Sequence, residues 1–224
     1  MTPHPAPDSL GESVYQRLRG DIIMGRLAPG QKLRLDALRE SYAAGAGTLR
    51  EALSRLAAER FVHAEDQRGF EVAPISVAGL RDIAALRLLI EEHALGLSFA
   101  HGDLDWEAAV IAAHHRLDSH EDRLERGDTS DLAGWRGSDW RFHQALISAC
   151  GSRVLMQSHA EVFDRYLRYQ MIALAFRPAA SRPEHRALME AALRRDTAAA
   201  VTLLRHHLEA GVAQAIALGR LPAG

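Results

Sequence analysis

The sequence has almost no cysteine, no long apolar run and no excess of one charge. The single Cys150 among 224 residues excludes an internal disulfide and a zinc site built from several thiolates. No apolar run approaches the ~20 residues that a membrane-spanning helix needs, and the first residues lack the basic and apolar segments of a signal peptide. We therefore expect a cytoplasmic protein that does not associate with membranes. Residues 1–9 are expected to be a disordered lead-in.

The overall charge gives no indication of a nucleic-acid partner, because the net charge is −2. The hydrophobic share of 47% and the charged share of 25% are typical of a globular protein. A chain of this length forms one or two domains. Any DNA-binding surface must therefore come from the local placement of arginines rather than from the total charge.

Residues 48–59 are the segment on which the interpretation of the N-terminal part depends. They are rich in Leu, Ala, Arg and Glu without Gly or Pro, which predicts a helix. Leu49, Leu53 and Leu56 form one apolar stripe at i, i+4 and i+7. Arg50 and Ser54 lie off that stripe and leave a polar, partly basic face. Taken alone, this pattern is more typical of an ordinary amphipathic surface helix.

The segments around this helix predict a winged helix-turn-helix over residues 10–73. Residues 10–24 and 35–42 form two preceding helices, and residues 61–72 form a hairpin wing with Gly69 near its tip. In this order the helix at 48–59 enters the major groove and the wing approaches the minor groove. For Arg55 alone, a solvated surface position is the better interpretation. The predicted DNA-binding residues are Arg34, Thr48, Arg50, Ser54, Arg55, Arg68 and Gly69.

The N-terminal motifs resemble those of the GntR family of bacterial transcription factors. The matching motifs are Leu27-Ala28-Pro29-Gly30, Arg50-Glu51-Ala52-Leu53 and Gly69-Phe70-Glu71-Val72. The resemblance implies binding to double-stranded operator DNA. The family usually has Ser and Thr, often with Arg between them, in the turn where this chain has Gly45-Ala46-Gly47. Hydroxyl and guanidinium groups that often contact DNA are therefore missing from this turn.

From residue 77 onward the sequence predicts only helices. After a linker at 74–76, helices are expected at 77–101, 105–126, 132–149, 153–177, 182–194 and 196–219, separated by glycine- and proline-containing turns. Short connections between amphipathic helices indicate an antiparallel bundle. The predicted fold class is thus mainly α: a winged helix-turn-helix followed by an all-α antiparallel helical bundle over residues 77–221.

Three of the twelve histidines, together with one aspartate, are expected to meet inside this bundle. Asp139 and His143 lie at i and i+4 on an inward face. His185 and His207 lie about 15 Å on either side of the turn near Arg195, at ~1.5 Å per residue. Such a set suits a divalent metal, Zn²⁺ first and Ni²⁺ or Mn²⁺ otherwise. A lone inward histidine is more often a hydrogen-bonded core residue. His206 points away, and other histidines such as His114 are interpreted as surface or incidental residues.

The C-terminal half resembles the FCD ligand-binding domain of the FadR subgroup in its metal-containing form. The resemblance carries the metal ligands onto Asp139, His143, His185 and His207, and it places Arg87 in the same cavity. Ser152 stands where the family has Asn. Finer motifs are similar to the carbon-starvation-induced regulators, a branch in which the effector is glutarate. The predicted effector-binding residues are Arg87, Arg168 and Ser152.

These features predict a repressor that binds an inverted-repeat operator as a homodimer and responds to a small carboxylic acid. A divalent ion with three neutral imidazoles and one carboxylate keeps a formal charge of about +1 and attracts an anion. One alternative is a regulator that responds to the metal without an organic effector. A metalloenzyme is the other alternative, but it lacks an evident general base and leaves residues 10–73 unexplained. We therefore expect no catalytic residues.

Overall fold

The computed structural model describes residues 10–65 and 69–223, and the chain divides after Ile75 into two compact units. The predicted linker at 74–76 spans this division. None of the helices in the described ranges is both long and apolar enough to cross a membrane. The elements of the described residues are α1 (Leu10–Ile23), β1 (Lys32–Leu33), α2 (Leu35–Tyr42), α3 (Ala46–Ala58), β2 (Val62–Glu65), β3 (Gly69–Val72), α4 (Val77–His101), α5 (Leu104–Glu125), α6 (Leu132–Ile147), α7 (Arg153–Ala173), α8 (Pro178–Leu193) and α9 (Thr197–Ala217).

The N-terminal unit has the predicted winged helix-turn-helix architecture. The stripe of Leu49, Leu53 and Leu56 on α3 is fully buried, together with Leu18 and Ile22 of α1. Burial of these side chains supplies the driving force that holds α3 against α1. Because this stripe faces the core, the opposite side of α3 remains exposed to solvent.

The sheet of this unit contains one strand more than the predicted hairpin. β3 pairs antiparallel with β2, as expected for a wing, and also with the short strand β1. In that second pairing Lys32 lies opposite Glu71 and Leu33 lies opposite Phe70. The hydrophobic pattern did not indicate β1, since a two-residue strand is too short for any alternation to be recognised.

The C-terminal unit is the predicted all-helical bundle, but several helix boundaries differ from the expected ones by one to four residues. α6 ends at Ile147 and α7 ends at Ala173, each a few residues earlier than predicted. α8 begins at Pro178, where the sequence indicated a break. The missing N–H of a proline costs nothing in the first turn of a helix, and its fixed φ suits that position. Proline therefore starts this helix instead of preceding it.

Side-chain caps begin every helix of the C-terminal unit except α8. In each case a Ser or Asp oxygen accepts a hydrogen bond from a backbone N–H of the first turn, which satisfies a donor that has no partner within the helix. One of the caps is Ser152, a predicted effector-binding residue, whose hydroxyl oxygen accepts a hydrogen bond from the N–H of Leu155. The capping residues are Ser76, Asp103, Asp131, Ser152 and Asp196.

Candidate metal centre and DNA-binding surface

The four predicted metal ligands lie on three helices of the bundle, of which α8 and α9 pack against each other. α6 carries Asp139 and His143, α8 carries His185, and α9 carries His207. The ligand nitrogens of the three histidines lie within 4.8 Å of one another. Oδ1 of Asp139 is 3.9 Å from Nε2 of His143 and 3.5 Å from Nε2 of His185. The structure thus brings together a three-histidine cluster and places the aspartate beside it.

Each of the three imidazoles has its own carboxylate partner at Nδ1. The Nδ1 atom of His143 is 3.0 Å from Glu91, and that of His185 is 2.9 Å from Glu121. The Nδ1 atom of His207 is 2.7 Å from Glu184.

An ionised carboxylate can only accept hydrogen bonds, so Nδ1 must carry the proton. The pKa of Glu91 is held well below its usual range: burial opposes ionisation, but Arg87, His143 and His159 outweigh burial. The pKa of Glu184 is lowered to about 2, where hydrogen bonds from His207 and Arg177 outweigh burial. The Nε2 lone pairs of His143 and His207 are therefore free to bind a cation.

The unpartnered nitrogen atoms test whether a metal suits this cluster. Nε2 of His143 and Nε2 of His185 are buried, and neither has a hydrogen-bond partner among the described residues. Leaving such an atom unpaired in the core costs free energy. Bonds of about 2 Å from one ion to each ligand require ligand atoms about 3–3.5 Å apart, and small side-chain movements reach that spacing. The residues present therefore fit a divalent ion.

Burial and nearby charge shift the pKa values of the histidines in different directions. Burial lowers the pKa of His143 to about 3 despite the opposing charge of Glu91. Burial also lowers the pKa of His207 to about 3, against its hydrogen bond to Glu184. For His185, burial acts in the same direction, but the carboxylates of Glu121 and Asp139 outweigh it, and the net pKa is raised.

Glu91 is the centre of a buried network that extends beyond the cluster. Its side chain pairs with Arg87 and with His143, and Oε1 also lies 2.7 Å from Nε2 of His159. The other nitrogen of His159 is 2.7 Å from the amide of Gln144. Removing one member of such a network leaves charges or donors buried without partners, which costs free energy. The hydrogen bond from Nδ1 of His143 to Glu91 fixes the orientation of the His143 ring, and the other members of the network hold Glu91 in place.

A small cavity adjoins the ligand cluster, with a volume of about 40 Å³. Arg87 lines it, and the Nη2 atom of Arg87 is buried without a hydrogen-bond partner among the described residues. Arg177 lines it as well and donates two hydrogen bonds to Glu184, of 2.8 and 2.6 Å. The edge-to-face pair of Trp135 and Phe176 lines another part of the wall.

Two residues predicted to contact an effector lie outside this cavity. Ser152 caps α7, and Arg168 is a buried residue of the same helix. Neither belongs to the described residues that line the cavity. Burial lowers the pKa of Arg168 to about 10. The interpretation of His114 as a surface residue is wrong, because His114 is 7% exposed and its ring packs against Phe142.

The carboxylate partners change the charge expected at the centre. Asp139, Glu91, Glu121 and Glu184 supply four negative charges, whereas Arg87 and Arg177 supply two positive ones. With a divalent ion the whole group is therefore neutral, and not positively charged as the ligands alone suggested. An anion would be held by direct coordination and by hydrogen bonds from arginine rather than by an excess of positive charge.

The exposed side of α3 carries two of the predicted DNA-binding residues. Arg50 and Ser54 are exposed, and Thr48 near the helix start is half-buried. Arg34 is also exposed at the residue before α2. Arg34 and Arg50 form no ion pair with a residue that the structure describes, so their guanidinium groups are available to phosphates or bases.

The remaining predicted DNA-binding residues differ in what the structure assigns to them. Arg55 forms an ion pair with Glu12 at 2.9 Å and lies over the Tyr15 ring at 3.7 Å, so it joins α3 to α1. Gly69 is exposed with φ of +99°, a conformation that favours glycine. Arg68 lies outside the described residues.

The carboxylate partners and Arg177 were not identified as site residues from the sequence. Glu91 follows Arg87 by four residues, a spacing typical of a salt bridge within one helix, and Glu121 lies in the strongly charged segment at 119–126 that looks like a solvated helix face. One signal was available: the neighbours Glu184 and His185 are part of the FCD motif. Only the packing of α4, α5 and α8 reveals that all three glutamates point toward histidines.

Two protein-family models match the chain: bacterial regulatory proteins of the gntR family over residues 10–72, and the FCD domain over residues 82–210. The HTH-type transcriptional regulator BphR of Paraburkholderia xenovorans (strain LB400) is 40% identical over 206 residues, covering 91% of this chain and 84% of that protein. The HTH-type transcriptional repressor GlaR of Escherichia coli (strain K12) is 40% identical over 203 residues, covering 87% of this chain and 90% of that protein.

The fold comparison agrees with these matches. A crystal structure of a GntR transcriptional regulator from Rhodococcus sp. RHA1 has a TM-score of 0.74 at 25% identity, over 93% of this chain and 98% of that chain. These matches confirm the prediction of a transcriptional regulator rather than an enzyme. The chain belongs to the GntR family of bacterial transcriptional regulators, with an N-terminal GntR helix-turn-helix domain and a C-terminal FCD domain.

Proposed function

We propose that this regulator is a repressor whose operator affinity is controlled by a small carboxylic acid bound at a divalent metal in the FCD domain. The observation that carries the proposal is the pair of buried, unpartnered Nε2 atoms of His143 and His185 beside Oδ1 of Asp139. A hydrogen-bonded core histidine would have a partner at both nitrogens. Here one nitrogen is bound by a carboxylate and the other faces further ligands.

Asp139, His143, His185 and His207 would hold the ion, with Zn²⁺ as the first candidate and Ni²⁺ or Mn²⁺ as others. When bound, the metal supplies a Lewis acid to which a carboxylate oxygen can coordinate. The three glutamates fix the imidazole tautomers and orientations.

The cavity beside the cluster supports a carboxylate as the effector group. Nη2 of Arg87 is a buried donor without a partner among the described residues, and guanidinium groups match carboxylate oxygens. A volume of about 40 Å³ accommodates a group the size of a carboxylate but not a whole five-carbon diacid such as glutarate. A diacid would therefore require the α7–α8 connection, which carries Phe176 and Arg177, to move outward.

Arg177 offers a route from the effector to the metal ligands. It binds Glu184 through two hydrogen bonds, and Glu184 in turn binds Nδ1 of His207. An arriving carboxylate would compete with Glu184 for Arg177. Glu184 would then shift, and its hydrogen bond with Nδ1 of His207 would change. The helices α8 and α9 that carry these residues would shift, and the two DNA-binding units of a homodimer would change their spacing.

The DNA-binding side of the proposal assigns α3 to the major groove of an inverted-repeat operator. Arg50 and Ser54 on the exposed face of α3, together with Arg34, are the proposed contacts. One unit of this kind reads only a few base pairs, and a two-fold homodimer doubles that number.

Calorimetry tests the effector part of this proposal. Acetate, succinate and glutarate would be titrated into metal-loaded and metal-stripped protein, with circular dichroism used to verify that both forms are folded. The proposal expects binding only to the metal-loaded form and weaker binding to Arg87→Lys, which keeps the charge that Glu91 needs but loses the planar fork. Arg116→Lys, at an exposed arginine of α5, is the control. Equal binding without the metal would contradict the proposal.

A second candidate is a regulator that responds to the metal alone. The observation in its favour is the small volume of the cavity, about 40 Å³, which leaves little room for an organic molecule. In that case the metal itself changes operator affinity without any added acid. Comparing operator binding by metal-loaded and metal-stripped protein in acid-free buffer distinguishes the two candidates.

A further inference from the structure

Several hydrogen-bond donors in the wall of the cavity beside the metal ligands have no acceptor among the described residues. Nη2 of Arg87 is one of them, and the indole Nε1 of Trp135 is another; both atoms are buried. Tyr166 lines the same wall. A buried donor without an acceptor costs free energy unless a bound molecule supplies one. The wall therefore suits a ligand that brings oxygen acceptors.

The hydroxyl group of Tyr166 is available as a further donor. The side-chain amide of Gln170, one turn further along α7, donates to the Tyr166 oxygen at 2.7 Å, which leaves the hydroxyl proton for another acceptor. No residue in the described part of the chain accepts this proton. Burial raises the pKa of Tyr166, so the hydroxyl keeps its proton.

Gly211 of α9 allows the Tyr166 hydroxyl to lie where it does. A Cβ at this position would lie 2.6 Å from the hydroxyl oxygen and 3.1 Å from Nε2 of Gln170. The first distance is too short for a contact between two heavy atoms, and the buried ring of Tyr166 has little room to move away. An alanine at 211 would therefore displace the hydroxyl and narrow the cavity, which Gly211 also lines.

The ring of Tyr166 supports Arg87 from one side. The Cζ atom of Arg87 lies 4.7 Å from the centroid of the Tyr166 ring and 4.0 Å from that of Phe163, so cation–π contacts hold the guanidinium group. Removing only the hydroxyl, as in Tyr166→Phe, keeps this ring in place. The contribution of the hydroxyl can therefore be separated from that of the ring.

We propose that the Tyr166 hydroxyl and the Trp135 indole N–H bind a second oxygen-bearing group of the effector, apart from the carboxylate on the metal. This inference rests on the proposed function and specifies the chemical class of the effector. The effector is a short acid with a second acceptor group, such as a second carboxylate, and not an aliphatic monoacid. A methyl group in that place would leave both donors buried without partners, and sites built around such donors reject analogues that lack the acceptor.

Calorimetry with matched acids tests this inference on the metal-loaded full chain. Acetate reports the contact with the metal alone, whereas glutarate and pentanoate have the same number of carbons and differ only at the far end. Glutarate should bind at least about 100-fold more tightly than pentanoate. Tyr166→Phe should weaken glutarate binding at least about 10-fold, the effect of one hydrogen bond to a charged acceptor, and leave acetate binding and metal content unchanged.

Two pairs of variants separate the cavity from the rest of the fold. Tyr169→Phe is the control for Tyr166→Phe, because Tyr169 lies on the same helix but is not among the described residues that line the cavity. Gly211→Ala should weaken glutarate binding more than about 10-fold without loss of metal. Gly96→Ala is its control, since a Cβ there meets only Cγ2 of Thr197, at an ordinary 3.8 Å.

The outcomes distinguish this inference from the proposed function on which it rests. Metal-dependent binding of glutarate and pentanoate with equal affinity would overturn the inference and leave the metal-bound carboxylate in place. Tight glutarate binding that survives Tyr166→Phe would overturn it as well. Equal weakening of acetate and glutarate by Tyr166→Phe would show that the hydroxyl acts only through the fold, which also contradicts the inference. Failure of all three acids to bind would overturn both proposals.

Discussion

Replacing Glu121 by glutamine isolates the contribution of one carboxylate partner to the metal centre. Glu121 is fully buried, and its Oε1 atom accepts from Ser181 at 2.8 Å and pairs with Nδ1 of His185 at 2.9 Å. Unlike Glu91 and Glu184, it has no arginine partner among the described residues. The substitution therefore removes one charge beside His185 without leaving a buried guanidinium unpaired.

The expected effect of this substitution is a lower affinity for the metal. Loss of an outer carboxylate partner of a metal-binding histidine typically costs about 10- to 100-fold in affinity, which corresponds to about 1.4–2.7 kcal/mol. A glutamine oxygen can still accept from Nδ1, which favours the lower end of that range. If the amide nitrogen faces the imidazole instead, the tautomer reverses, Nε2 becomes protonated and the loss is larger.

The assay is competition between the protein and a chromogenic chelator for Zn²⁺, with metal-stripped protein as the starting point. Glu125→Gln is the matched control, because Glu125 lies one turn further along α5 and forms only an exposed ion pair with Arg182. The control should bind the metal like the wild type. If Glu121→Gln also binds with wild-type affinity, the carboxylate partners have no role in metal binding and the reasoning fails.

Three further substitutions test other parts of the account. Arg50→Ala should weaken operator binding in gel-shift titrations by about 1–3 kcal/mol with unchanged metal content, and an unchanged affinity would exclude α3 from the groove. His207→Ala should lose most of the metal and lower the Tm, whereas the neighbouring His206, 70% exposed, is the control; equal losses would contradict the assigned helix face. Gly47→Ala should raise the free energy of unfolding by about 0.5–1 kcal/mol in denaturant titrations, because a Cβ there meets no atom within 4 Å. Gly20→Ala in α1 should stabilise equally without changing operator affinity, and destabilisation by either would refute the prediction.

The periodic patterns of the sequence were sufficient to predict most of the fold. The stripe of Leu49, Leu53 and Leu56 identified α3 and its buried side, and both are confirmed. The positions of His185 and His207 relative to the turn near Arg195 predicted that the two rings meet, and their centroids are 4.6 Å apart. Both predictions succeed because helical geometry converts sequence spacing directly into position.

Features that depend on contacts between distant helices could not be predicted in this way. Glu121 is sixty-four residues from His185 in the chain, and a glutamate in a charged segment is usually solvated. The start of α8 at Pro178 was not predicted, because a proline can either end one helix or begin the next. The structure shows that Pro178 occupies the first position of α8. Arg177, just before it, therefore escaped notice, although it links the cavity to Glu184.

The central claim is that a carboxylic acid controls operator binding through the metal centre. The most direct test is the operator Kd of the full chain, measured by fluorescence anisotropy on a duplex selected from random sequences, with and without glutarate. The account predicts that glutarate raises the Kd by about 5- to 150-fold for metal-loaded protein, the usual range for coupling between two sites. It also predicts no change for metal-stripped protein. An equal change in both forms, or none in the metal-loaded form, would contradict the account.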